Sequence, residues 1–94
     1  MNKVEAKAVA TEVASRYRTR ARDDLLRLLD DQDTLELIAP SGKRYQVEVE
    51  AVWDDRRGNN LRVFIEVDDG AFSAFSPLTV CFIVAPDGSL VDEE

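Results

Sequence analysis

Histidine is missing from all 94 residues. That removes the commonest general base, the commonest imidazole metal ligand and the usual pH switch together. Ser-His and Cys-His catalysis are excluded within one chain. Cysteine occurs once, as Cys81. An internal disulfide cannot form, and a zinc site built of Cys and His would need ligands from several chains. A lone cysteine also agrees with a reducing compartment. No apolar run approaches the roughly 20 residues that cross a bilayer. Met1-Asn2-Lys3-Val4-Glu5 lacks the apolar stretch and small-residue cleavage site of a secretory signal. The expected location is the cytoplasm, without membrane attachment. Gly-rich phosphate loops, Walker signatures and dinucleotide fingerprints are missing too, so no cofactor is expected.

What the chain does contain is a globular balance, 45% hydrophobic and 33% charged residues. A disordered chain is poorer in Val, Ile, Leu and Phe. Its length suits one domain, residues 1–94, with a single core. The net charge of −7 disfavours nucleic acid and anionic membrane as partners and favours a basic protein. That charge is uneven. The first 22 residues carry six bases against two acids, a net of +4, which leaves −11 for the remainder. Attraction between the two parts follows.

Asn2 and Glu5 have the spacing of a capping box, Asn2 accepting from a free backbone N–H and Glu5 reaching back. At 100° per residue, Ala6, Val9, Ala10, Val13, Ala14, Tyr17, Ala21, Leu25 and Leu28 form one stripe. No glycine or proline interrupts it, so a single helix from about Lys3 to Leu29 is predicted, within a helical part spanning residues 1–30. Asp30-Asp31-Gln32-Asp33 stops it.

From residue 34 to about 92 the period becomes that of strands. Thr34–Ala39 reads as a strand, and Pro40-Ser41-Gly42 as a turn. Tyr45, Val47, Val49, Ala51 and Trp53 then share one face, with Gln46, Glu48, Glu50 and Val52 on the other. Asp54–Asn60 looks like a hairpin loop. Leu61, Val63, Ile65 and Val67 oppose Arg62, Phe64 and Glu66 on the following strand, and Asp69-Gly70 is a hairpin signal. Phe72–Ser76 is expected to pair back briefly until Pro77. Leu78–Val84 is continuously apolar, as a strand near the middle of a sheet and covered on both faces would be. Ile38-Ala39-Pro40-Ser41-Gly42 and Val84-Ala85-Pro86-Asp87-Gly88 repeat one turn design. The predicted fold is α+β, a long N-terminal helix packed on an antiparallel β-meander of about five strands. Trp53, Val49, Val63 and Ile65 are expected in its core, against Val13, Tyr17, Leu25 and Leu28.

Few patterns carry chemistry. Cys81 sits in an apolar strand, where thiols are inert packing groups. Asp54-Asp55 and Asp68-Asp69 invite a calcium or magnesium reading, yet seven extended residues hold them roughly 23 Å apart. Asp30-Asp31-Gln32-Asp33 lacks the glycine and final glutamate of a calcium loop. Glu48 and Glu50 share a strand face about 7 Å apart, near the spacing of catalytic carboxylate pairs. Arg62 and Glu66 on the neighbouring strand make a cross-strand charge lattice the simpler reading. Arg16, Arg18, Arg20 and Arg22 alternate sides of the helix, about 200° per step, and flank the stripe as snorkelling side chains.

Trp53-Asp54-Asp55, Asn60-Leu61-Arg62-Val63, Asp68-Asp69-Gly70, Ala74-Phe75-Ser76-Pro77-Leu78 and Phe82-Ile83-Val84-Ala85-Pro86-Asp87-Gly88 occur here in an order that resembles an uncharacterised family of small bacterial domains. The resemblance spans about Leu35 to Glu94. It brings no activity, ligand or functional residue, and its motifs, mostly turn and strand-end residues, imply a shared fold rather than a shared reaction.

The residues thus point to a non-catalytic acidic protein-interaction module, of which an inhibitor or immunity-type protein masking a basic toxin or nuclease is one version. The alternatives are a small carboxylate- or metal-dependent enzyme using Glu48, Glu50 and Glu66, and a self-assembling structural subunit. Two candidate interfaces follow. One is an apolar patch of Val52 and Phe64 on the sheet, joined by Ile38 and rimmed by charge. The other is the small-residue half of the helix with Val9, Val13 and Tyr17. A helix of roughly 40 Å overhangs a globule of roughly 32 Å, and the overhang predicts a homodimer; the alternative is a break near Thr19 that folds the first turns back onto the same sheet.

Overall fold

The computed structural model describes residues 2–55, 59–70 and 77–91. Helix α1 (Lys3–Arg18) opens at Asn2, whose Oδ1 accepts the Glu5 N–H at 3.1 Å. The second half of the predicted capping box takes another form. The Glu5 carboxylate accepts from Ser41 Oγ at 2.8 Å and from the Tyr45 hydroxyl at 2.9 Å, tying the start of the helix to the sheet.

The continuous helix to Leu29 is not formed. α1 ends at Arg18, Ala21 is extended with φ −64° and ψ 150°, and α2 (Arg22–Leu26) then runs into a 3-10 turn, Arg27–Leu29. Neither glycine nor proline marks the break. Thr19, β-branched and a weak helix former, turns its hydroxyl onto the Arg16 carbonyl at 2.8 Å. Burial supplies the driving force. A straight helix would carry Leu25 and Leu28 beyond the sheet, whereas the bend returns both to the core at 1% and 2% exposure.

Five strands follow among the described residues: β1 (Asp33–Ile38), β2 (Arg44–Trp53), β3 (Leu61–Asp68), β4 (Leu78–Val84) and β5 (Leu90–Val91). They form one open antiparallel sheet in the order β1-β2-β3-β4-β5. β4 is interior, flanked by β3 and the two-residue β5, while β3 is the central strand. Phe82, Ile83 and Val84 are buried, whereas Thr79 is exposed, so β4 is covered on both faces only at its end. The predicted strand at Phe72–Ser76 lies outside the described residues, as does Gly58 of the predicted loop.

The two echoed turns are alike in structure. Gly42 N–H meets Ala39 O at 2.8 Å and Gly88 N–H meets Ala85 O at 2.9 Å. Both glycines sit in the left-handed region, with φ 89° and 88°.

α1 and the Arg27–Leu29 turn pack on one sheet face. Ala6, Ala10, Val13, Ala14 and Tyr17 bury against Tyr45, Val47, Val49, Leu61, Val63, Ile65, Val67, Phe82 and Val84. The alanines let α1 sit close over β3 and β4. Trp53 shares the parity of these residues yet is 43% exposed, contrary to the expectation. It lies at the end of β2, past the break in the helix, and the Arg22 guanidinium stands 5.8 Å from its ring. Among the described residues no helix is long and apolar enough to cross a membrane.

Candidate interaction surface

The face of the sheet opposite the helices is laid out by register. Glu48 stands opposite Glu66, Glu50 opposite Phe64, and Phe64 opposite Cys81. One step further, Val52, Arg62, Ile83 and Val91 form a row across four strands. Ile83 is 4% exposed and Phe64 and Cys81 are half-buried, so this face has an apolar centre of its own, separate from the main core.

The charge lattice differs from the predicted one. Arg62 Nε donates to Asp54 Oδ1 at 2.7 Å, and its Nη1 donates to Cys81 Sγ at 3.2 Å. Glu66 has carboxylates as neighbours. Burial, a hydrogen bond with Glu50 and the charges of Glu50 and Glu48 all push its pKa upward from the ordinary glutamate value. Like charges on adjacent strands repel, and partial removal from water strengthens the repulsion. Counting acids and bases along β2 and β3 could not reveal this, because Arg62 was equally free in sequence terms to pair with either side. Among the described residues, no three Cys, Asp or Glu side chains converge to hold a metal ion.

The predicted apolar patch is only partly assembled. Val52, 44% exposed, lies one step from Phe64 along the sheet. Ile38 pairs with Arg44 at the far end of β2, eight residues from Val52, so strand geometry separates the two by about 27 Å. Val9, Val13 and Tyr17 are not on the surface at all. They are 7%, 0% and 2% exposed, packed into their own chain's core because the break at Thr19–Ala21 removes the overhang. A dimer built on that half of the helix has no free apolar stripe to use.

The arginines flank the stripe and bridge helix to sheet. Arg16 reaches Glu12 at 2.9 Å, Arg18 lies over the Phe82 ring at 5.4 Å and Arg20 over the Tyr17 ring at 4.0 Å. Of the attraction expected between the first 22 residues and the rest, Arg20 supplies a contact of 3.8 Å to Asp33, whose close partner lies beyond that division. Arg27 holds Asp33 through two bonds of 2.8 and 2.9 Å, and its pKa falls to about 2, first because of Arg27 and then through the Tyr17 hydroxyl. Arg20 and Arg22 line a cleft of about 300 Å³ beside the Pro86-Asp87-Gly88 turn, with Asp23 and Asp87 in the same wall. Its charges of both signs favour neither an anion nor a cation.

Comparison with family models, with curated proteins and with solved structures finds no match to this chain.

Proposed function

We propose that this chain is a non-catalytic acidic interaction module that docks a basic protein, in the manner of an inhibitor or immunity-type protein. The observation that carries the reading is the juxtaposition of Glu48, Glu50 and Glu66 on the sheet face away from the helices, with the Glu66 pKa raised by its neighbours. Among the described residues, the charges that act on Glu66 are those of Glu50 and Glu48, both of its own sign. A lysine or arginine from a partner would lower the repulsion and bring Glu66 fully into its charged form, and the half-buried Phe64 with exposed Val52 supplies an apolar centre inside that charged rim. The net charge of −7 favours approach of a basic partner.

The test is isolation of the chain from the cells that make it, followed by reconstitution with any basic protein recovered at near-stoichiometric amount. Affinity that falls as salt rises, and that is lost on reversing Glu48, Glu50 and Glu66 to lysine, supports the reading. Binding indifferent to both salt and the three reversals removes it.

A further inference from the structure

The two edges of the sheet differ in kind. One ends in β5, two residues long, and short edges are a common protection against unwanted pairing. The other edge is β1, which pairs with β2 along all six residues, without a bulge and without a proline or lysine of its own. Its charges, Asp33 and Glu36, are both acidic, a protection that would not repel a basic strand.

The phase of its hydrogen bonds can be fixed. Ala39 N–H bonds Lys43 O at 2.8 Å, so by antiparallel alternation Leu37, Leu35 and Asp33 exchange bonds with Tyr45, Val47 and Val49. The backbone groups of Thr34, Glu36 and Ile38 therefore point away from the sheet, on a strand with no outer neighbour among the described residues. Side chains alternate independently of this. On the helix side Leu35 and Leu37 are only half-buried at the margin of the core, because α1 sits over β3 and β4. On the opposite side stand Glu36, which accepts from Gln46 Nε2 at 2.9 Å and lies 3.7 Å from the exposed Arg44, and, across the short Thr34, Glu48.

We infer that the outer edge of β1 receives an extended segment of the basic partner as a sixth strand, and that this segment alternates apolar and basic residues. This rests on the proposed docking of a basic protein and gives it a place and a sequence pattern. Strand addition would satisfy the outward groups of Thr34, Glu36 and Ile38. Apolar side chains of the added strand would complete the cover over Leu35 and Leu37. Its basic side chains would lie beside Glu36 and reach Glu48 over Thr34, within the length of a lysine. An acidic or uniformly polar segment would gain the backbone bonds and lose both side-chain contributions.

The probe is a terminally blocked peptide of alternating lysine and valine, compared with its glutamate and valine counterpart, titrated into the full chain while backbone amides are followed by NMR. The expected result is slowed hydrogen exchange at Thr34, Glu36 and Ile38 with the lysine peptide alone. Glu36→Pro removes one outward donor without touching the ladder to β2, and edge strands tolerate such a proline. It should weaken binding about tenfold, more than Glu36→Gln does. Shifts confined to the Glu48, Glu50 and Glu66 face, without protection of the three β1 amides, overturn the edge and leave the basic-partner reading standing. Equal binding of the glutamate peptide overturns both, and binding by neither peptide overturns the edge. Sedimentation of the free chain as a dimer that Glu36→Pro dissociates assigns the edge to a second copy and overturns the basic occupant.

Discussion

The Tyr17 hydroxyl donates to Asp33 Oδ2 at 2.6 Å, across 16 positions of sequence. The last turn of α1, the 3-10 turn through Arg27 and the first residue of β1 thus meet at one carboxylate. Tyr17 is 2% exposed and the Asp33 side chain 24%, so removal of Asp33 leaves the hydroxyl poorly served by water. Asp33→Ala should cost about 1–3 kcal/mol, the penalty of an unsatisfied buried donor. Tyr17→Phe removes the donor as well and should cost less, about 0.5–1.5 kcal/mol. Urea unfolding of both single variants and the double variant checks this. Strictly additive losses would show that the two groups do not act together.

The same cluster sets the limits of pH. Asp33 titrates at about 2, below the ordinary 3.8, so its contribution is complete above pH 3.8 and disappears as pH falls through 2. Tyr17 and Tyr45 are each pushed up to about 12, chiefly by burial and then by Asp33 and Glu5. Their contribution is complete below pH 10 and is lost as pH rises through 12. Melting temperature measured against pH should fall at both ends, and Asp33→Asn should flatten the acid limb.

Glu66 acts in the opposite sense to Asp33. Its raised pKa means that deprotonation opposes folding as pH rises through its folded value. Glu66→Gln should stabilise the isolated chain at pH 7 by about 0.2–1 kcal/mol, the size of a like-charge cross-strand pair. Chemical denaturation at pH 7 and at pH 4 checks it, since the gain should vanish at the lower pH. A variant less stable than the parent at pH 7 would contradict the repulsion.

Gly42 and Gly88 occupy equivalent turns, and a Cβ added at either meets nothing within 4 Å. The cost of Gly42→Ala or Gly88→Ala is thus conformational alone, about 1–2 kcal/mol for a left-handed φ. Asparagine, which visits that region more readily, should recover part of it at each site. Unequal losses at the two turns would show that their surroundings, not their shared φ, govern the cost.

Local periodicity was enough to place much of this fold. Alternation in Tyr45–Ala51 and Leu61–Val67 identifies the two longest strands and the side that each buries. The spacing from Ala6 to Tyr17 defines the buried stripe of α1, and the repeated Ala-Pro-Xaa-Gly pattern gives two like turns. These features need only a residue and its near neighbours. Whether a face is covered depends instead on where distant elements end. Trp53 has the parity of a core residue and stays exposed because the helical cover stops short of it. The stripe of Val9, Val13 and Tyr17 is the same whether α1 overhangs or folds back, and only the packing of Leu25 and Leu28 chose the bend at Thr19–Ala21. Composition supplied the charges of the sheet, but the choice of Asp54 over Glu66 as a partner for Arg62 was made by three-dimensional distance. A periodic pattern constrains directions along one segment, whereas cover, break and ion pairing are settled by the summed burial of the whole chain.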